Sequence, residues 1–319
     1  MKKLYYATFE KGYEEIVKQY LKKLDRANQV KKMYEGAVLF FAENTKMENT
    51  DCFHSLFTVI HNSEKQGVGG INQEMKLILE KKDLKISLPK EIRAIRLVYK
   101  KENEKVLVDN ALKKAFEVKL AKTSKKQISY FNGEVDFVIL AKEDGTILFM
   151  RKEYEMVEKT RFSLSASESF FINFLSEPVA SEVVLDAFAG AGELVYSRCK
   201  NFKKANVIAN AETKEDAEAL KKLARKLKDN KFSVLSYNFL EDNFPIKFID
   251  KIVTYLPTNF ANNGAVYHEF FEKTKSLNVK TMVVVCSKSY DASKYFAGKY
   301  EILAEVVTRN YFVYKIKLI

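Results

Sequence analysis

Apolar and polar positions fall into two rhythms along the 319 residues, and each rhythm predicts its own kind of architecture. Residues 4–9 alternate as a strand does, Lys11-Gly12-Tyr13 turns, and residues 14–24 put Ile16, Tyr20 and Leu24 on one helical face. Residues 30–34 and 36–42 predict two more strands. Residues 52–62 and 69–80 predict helices, the second with a partial apolar face from Ile71, Met75, Leu77 and Ile78. Residues 92–99 alternate strongly. Residues 109–120 carry Leu112, Ala115, Phe116 and Leu120 on one helical stripe. Residues 135–140 and 146–151 predict a hairpin across Glu143-Asp144-Gly145. To about residue 152 the chain reads as small α+β units.

The charged and polar stretch 153–165 reads as a linker, and residues 169–175 as a helix. Strands at 183–187, 206–209, 232–237, 247–255 and 281–287 then alternate with helices at 193–200, 215–228, 266–276 and, briefly, 289–296. Strands at 301–307 and 311–318 close the chain around Arg309-Asn310. That order predicts an α/β fold, a doubly wound sheet with a reversed last strand.

Composition narrows the class. Hydrophobic residues make up 47% and charged residues 30%, as in a globular chain long enough for two domains. No apolar run approaches the roughly 20 residues of a membrane span, and Glu10 and Lys11 interrupt any signal-like core behind Lys2-Lys3. Cys52, Cys199 and Cys286 are scattered, as are His54, His61 and His268. This spacing argues against a disulfide framework or a metal site and for a reducing, cytoplasmic setting. The net charge is +12, and residues 76–126 hold 16 basic against 7 acidic residues. Such a stretch suits a polyanion through counterion release. A solvated lysine-rich surface gives the same count.

The most chemically specific stretch is Val183-Val184-Leu185-Asp186-Ala187-Phe188-Ala189-Gly190-Ala191-Gly192. Glycine is scarce, 11 residues in all, yet two stand here, between a predicted strand and a predicted helix. Glycines let the backbone turn sharply and approach a ligand, and the helix points its first N–H groups at the same place. The G-x-G-x-x-G of dinucleotide enzymes is absent. Asp-x-Phe-x-Gly-x-Gly resembles instead the first motif of S-adenosylmethionine methyltransferases; a strand-to-helix turn that binds nothing is the plainer alternative.

Ligands of a doubly wound sheet lie over the carboxyl ends of its strands. The second strand ends in Asn210-Ala211-Glu212, where an acid for ribose hydroxyls is expected and Glu212 stands late. The third ends in Asn238, which can accept a hydrogen bond from an adenine amine without bringing charge. The fourth runs from Asp250 to Tyr255-Leu256-Pro257-Thr258. It occupies the place of the Asn/Asp-Pro/Leu-Pro-aromatic motif that holds a target amine in amino-methyltransferases. Tyr255 replaces the polar residue and Thr258 the aromatic. Either Tyr255 lends a hydroxyl, with Phe260 stacking from two residues on, or Tyr255 only packs.

The whole order of segments resembles the THUMP-domain RNA methyltransferases that modify the exocyclic amine of guanine. The resemblance rests on residues 5–15, residues 92–151 ending in Asp144-Gly145-Thr146-Ile147-Leu148-Phe149, Arg161-Phe162-Ser163-Leu164 with the helix behind it, and the glycine loop, with Ala187 in place of Pro. It implies a ferredoxin-like subdomain at 1–65, a THUMP-like domain at 66–152, a linker and leading helix at 153–180, and a Rossmann-like class I methyltransferase domain at 181–319. It implies S-adenosylmethionine held by Asp186, Phe188, Gly190, Gly192, Asn210, Glu212, Asn238 and Asp250. Catalysis would fall to Tyr255, Leu256, Pro257 and Thr258, with no metal. Structured tRNA or rRNA would be gripped by Lys113, Lys114, Lys122, Lys125, Lys126 and Arg161 through shape and phosphate contacts. Three readings stay open: an active RNA methyltransferase, an RNA-binding protein that has lost catalysis, and a methyltransferase on a protein or small-molecule amine.

Overall fold

The computed structural model describes every residue except 1, 26–27, 44–50, 65–69, 82–83, 85, 157–163, 203–205, 228–231, 242–243, 247, 259–262 and 278. Its strands form two sheets. The first gathers β1 (Lys3–Thr8), β2 (Gln29–Tyr34), β3 (Ala37–Ala42), β4 (Ser55–Ser63), β5 (Ala94–Lys101), β6 (Glu104–Lys105), β7 (Gln127–Ile128), β8 (Val135–Ala141) and β9 (Ile147–Glu155). Their order is β2-β3-β1-β4-β9-β8-β5-β6, with β7 also on β5. Strands from residues 1–65 and from 66–152 thus hydrogen-bond into one sheet, through β4 and β9.

The second sheet holds β10 (Val183–Asp186), β11 (Asn206–Asn210), β12 (Phe232–Leu235), β13 (Lys251–Tyr255), β14 (Thr281–Ser287), β15 (Tyr300–Val307) and β16 (Tyr311–Leu318). Their order is β12-β11-β10-β13-β14-β16-β15. The first five are parallel, and β16 inserts antiparallel between β14 and β15. The reversed strand predicted from the sequence is therefore present. Strand order reverses at β10, whose neighbours β11 and β13 diverge, and this crevice is where such sheets place ligands.

The helices are α1 (Glu14–Leu24), α2 (Gly70–Glu80), α3 (Asn110–Ser124), α4 (Ala166–Leu175), α5 (Glu193–Asn201), α6 (Lys214–Leu227) and α7 (Asn263–Ser276). Helix α4 joins the two halves. Its start is fixed by a capping box, with the Ser165 hydroxyl accepting from Glu168 N and Glu168 accepting from Ser165 N. Behind that cap every residue to Leu175 is buried, and all but Ser169 and Asn173 are apolar, as suits a helix packed on every side. Phe170 and Phe174 meet the Tyr20 ring of α1 edge-on at 5.1 and 5.4 Å, Phe171 stacks on Tyr13 at 5.7 Å, and Phe170 lies 5.0 Å from Phe202 beyond α5. One core cluster consequently runs from Tyr5 and Phe40 of the first sheet to Val184 and Val283 of the second.

Several expected elements differ. Residues 52–62 do not form a helix: most of them belong to β4. Leu56 and Ile60 pack to one side of the sheet while Phe57 and Val59 pack to the other, a period of two that β-branched and aromatic residues favour. The predicted linker is strand as far as Glu155, because β9 pairs with β4 along its length. The expected helix at 289–296 is only a 3-10 turn at Ser293–Tyr295. The strand expected from residue 247 begins at Lys251.

Candidate cofactor site

The chain leaves β10 at Asp186 and reaches α5 through the glycine loop. Gly190 and Gly192 hold φ of +48° and +89°, which side chains adopt only under strain. The two differ in space. A Cβ on Gly192 would lie 2.8 Å from the Cδ2 atoms of both Leu220 and Leu223, so the bare backbone lets the loop close onto α6. A Cβ on Gly190 would meet nothing within 4 Å. The open ground of the site is therefore at Gly190, beside the amino-terminal turn of α5.

Asp186 is buried. Thr254 Oγ1 donates to its Oδ1 at 2.7 Å and in turn accepts from Phe188 N at 3.1 Å, so β13 clamps the start of the loop. Burial pushes the Asp186 carboxyl up to about 7; the Thr254 hydrogen bond opposes this, and the Glu193 charge adds to it. An acid raised in the fold keeps a proton that the unfolded chain has released. Its stabilisation is present below about 3.8, the unfolded value, and is lost as pH rises to about 7. Replacing it by Asn, which retains an acceptor for Thr254, removes that loss. In urea unfolding, Asp186→Asn should gain stability relative to the parent at pH 8 compared with pH 5. An equal parent–variant difference at both values would contradict the assignment.

Asn210 ends β11 fully buried, with every polar atom engaged. Its Nδ2 donates to Ala187 O at 3.1 Å and Tyr237 O at 2.9 Å, and its Oδ1 accepts from Tyr237 N at 3.2 Å. The amide ties the ends of β10, β11 and β12 together, leaving only one lone pair of Oδ1 for a ligand. A carboxylate cannot donate to those two carbonyls. Asn210→Asp should cost roughly 2–5 kcal/mol of stability, about the penalty of two unpaired buried acceptors, and should not improve nucleoside binding. Chemical denaturation measures it, and a neutral effect would remove the clamp.

Glu212, two residues on, is exposed at the same edge; the protein crowding it on one side holds its carboxyl above the usual range, and Asp216 adds to the shift. Asn238 is exposed too, but it caps its own turn, accepting from Leu240 N at 3.1 Å and donating to Glu241 at 3.2 Å. Two expected cofactor residues lie elsewhere. Phe188 points into a core of rings, 6.0 Å from Phe239 and 5.7 Å from Phe270. Asp250 accepts from Val183 N at 2.7 Å, at the start of β10 and so at the opposite edge of the sheet. Parallel pairing of β10 with β13 fixes that position, and the expectation that Asp250 touches the cofactor is corrected.

The end of β13 supplies Tyr255, Leu256, Pro257 and Thr258. Leu256 is buried, its N–H held by Val285 O at 2.8 Å. Tyr255 is half-buried, its ring 6.3 Å from Tyr311 at the start of the reversed strand. Burial raises its hydroxyl, with Cys286, Glu168 and Glu193 contributing. Tyr311 donates to Glu168, the same residue that caps α4. Thr254, Glu168, Glu193 and Tyr311 escaped the sequence reading. Two of them had a signal: Glu193, an acid in the first turn behind a glycine loop, and Glu168, the last residue of a Ser-x-x-Glu capping pattern before an apolar run. Phe260 and Arg161 lie outside the described residues.

Among the expected RNA contacts, Lys114, Lys122 and Lys125 are exposed. Lys113 lies 4.0 Å from Glu117 and over the Tyr130 ring, and Lys126 donates to Pro89 O and Lys90 O. A cleft of about 2050 Å³ opens on the first sheet, lined by Tyr34, Arg96 and Lys152 together with Lys288 and Arg309; it does not include the glycine loop. Among the described residues no three His, Cys, Asp or Glu side chains converge as a metal site, and no helix is long and apolar enough to cross a membrane.

No protein-family model and no curated protein matches the chain. Its fold, however, recurs in solved structures along its entire length. It superposes on TrmN from Thermus thermophilus with a TM-score of 0.76 at 13% identity, covering 100% of both chains. A candidate methylase from Clostridium difficile 630 gives 0.73 at 11% identity, covering 100% of this chain and 99% of that one. SMU.472, a candidate methyltransferase complexed with SAH, gives 0.72 at 14%, covering 98% and 97%. With the strand order of its second sheet, this places the chain in the fold class of the class I methyltransferases.

Proposed function

We propose that this chain is an S-adenosylmethionine-dependent methyltransferase whose substrate is the exocyclic amine of a guanine in tRNA or rRNA. The observation that carries the reading is the loop over the switch point, with open space at Gly190 beside a helix N-terminus. The chemistry around that space fits a nucleoside cofactor with a cationic amino-acid tail. Glu193 is an anion in the first turn of α5, and Glu212 is an exposed acid at the end of β11, in reach of the role that Asn210 has given up. The cofactor, when bound, supplies an electrophilic methyl group. The protein's own part is positioning. The backbone of Leu256, fixed by Val285, presents strand-end carbonyls to an acceptor amine, and the Tyr255 hydroxyl is the second acceptor beside them. RNA as substrate is supported by the basic stretch 76–126. In this reading residues 1–65 and 66–152 are the ferredoxin-like and THUMP-like parts, 153–180 the connection, 181–319 the catalytic domain, and the setting is cytoplasmic.

A second reading is favoured by two specific observations: the committed amide of Asn210 and the phenol at Tyr255. Together they describe an RNA-binding protein on a methyltransferase fold that no longer transfers methyl groups. Calorimetric titration with S-adenosylhomocysteine separates the two. Saturable one-to-one binding, followed by transfer of labelled methyl to RNA, supports the enzyme; no binding at millimolar ligand supports the second reading.

A further inference from the structure

The surface around α3 carries apolar side chains that packing does not use. Phe131 is 84% exposed and Tyr130 is 63% exposed, and they are consecutive in the loop between β7 and β8; Leu107, just before α3, is fully exposed. A large ring left in water costs hydrophobic free energy, so a pair of them together marks a contact surface. The loop that presents them is held at both ends. Ser129 N donates to Ile95 O at 2.8 Å, Glu134 N to Ala94 O at 2.9 Å, and Asn132 N to the Ser129 hydroxyl at 3.1 Å. Tyr130 is further fixed by donating to Glu117 at 3.0 Å, with the Lys113 ammonium 5.4 Å from its ring centroid. These rings are presented on a rigid support.

Their surroundings are cationic. Lys113 of α3 already lies over the Tyr130 ring, Lys114, Val118 and Lys122 follow on an exposed stripe of the same helix at spacings of four, Lys125 caps its C-terminus, and the only acid of that helix, Glu117, is buried. Exposed planar rings beside unneutralised ammonium groups are what an unpaired nucleic-acid strand recognises: bases stack on the rings while phosphates meet the lysines. A duplex offers its bases no such access, because they are already stacked inside.

We propose that Phe131 and Tyr130 form a stacking platform for unpaired RNA bases, with the α3 lysines holding the adjoining phosphates. The platform refines the RNA part of the proposed function, since it selects a single-stranded segment rather than the shape of a stem. It does not depend on the glycine loop, so its success or failure is separate from that of methyl transfer.

The test is fluorescence anisotropy of the full chain with a labelled single-stranded oligoribonucleotide and with a hairpin of the same length, at low salt. The single strand should bind more tightly, and Phe131→Ala should weaken it about tenfold or more, in line with the loss of one stacked base. Phe131→Trp should restore binding, and Lys114→Ala should reduce the slope of log affinity against log salt by about one. The Phe131 ring is almost wholly exposed, so circular dichroism of the Ala variant should match the parent. Equal binding of the hairpin, or an unchanged affinity in Phe131→Ala, would overturn the platform; so would capture of an acidic protein in preference to either RNA.

Discussion

Gly190→Arg should abolish S-adenosylhomocysteine binding, by a hundredfold or more, while the chain stays folded. Both halves follow from the same geometry. The position has room, since a Cβ there meets nothing within 4 Å, and its φ of +48° costs an ordinary residue about 1–2 kcal/mol. The arginine side chain must then extend into the space beside the α5 N-terminus, which the proposed function assigns to the cofactor. Gly192→Ala is the contrasting variant. Its Cβ would collide with Leu220 and Leu223, so it should lower the melting temperature more than Gly190→Arg does. Calorimetry with a parallel thermal melt distinguishes them. Undiminished binding in Gly190→Arg would move the cofactor site away from the loop and would sink the enzymatic reading with it.

Glu182→Ala should be the most damaging single change for stability, at about 3–5 kcal/mol. Glu182 is buried beside β10. It receives Arg198 of α5 on one oxygen and Lys251 of β13 on the other at 2.8 Å. Arg198 is only 1% exposed, and its remaining partners are the Ser176 hydroxyl at 2.7 Å and Asn173 O at 3.4 Å, neither carrying charge. Removing the carboxylate strands a guanidinium away from water, and that desolvation cost dominates the loss. The cluster sits at the amino-terminal edge of the sheet, as Asp250 does, so the cofactor site is not touched. A folded Glu182→Ala sample should therefore bind S-adenosylhomocysteine as the parent does, while urea unfolding shows the full deficit. A change under about 1 kcal/mol would mean that the ion pair is not what holds α5 to β10 and β13.

The sequence by itself determined the kind of the second sheet and most of its strands. Most of its strands are short and apolar and alternate with helices, which calls for parallel neighbours covered on both faces, while the final pair around Arg309-Asn310 has only a short turn and must run antiparallel. The glycine loop was legible for a related reason: a residue type present only 11 times was spent twice between a strand and a helix. Local pattern failed where partners are distant. β4 was misread because its pairing with β1 and β9, almost a hundred residues away in the second case, fixes its conformation more firmly than its own spacing does. The tertiary structure alone decided what each polar strand end does. Asn210 and Asn238 look alike in sequence, yet the amide of one is consumed by three strand ends and the other lies exposed on its own turn. Asp250 reads as a strand-end acid, and only the parallel register with β10 puts it at the wrong edge. Hydrogen-bond capacity is a property of the finished packing. A sequence names the donors and acceptors, while the fold decides which of them remain free for a ligand.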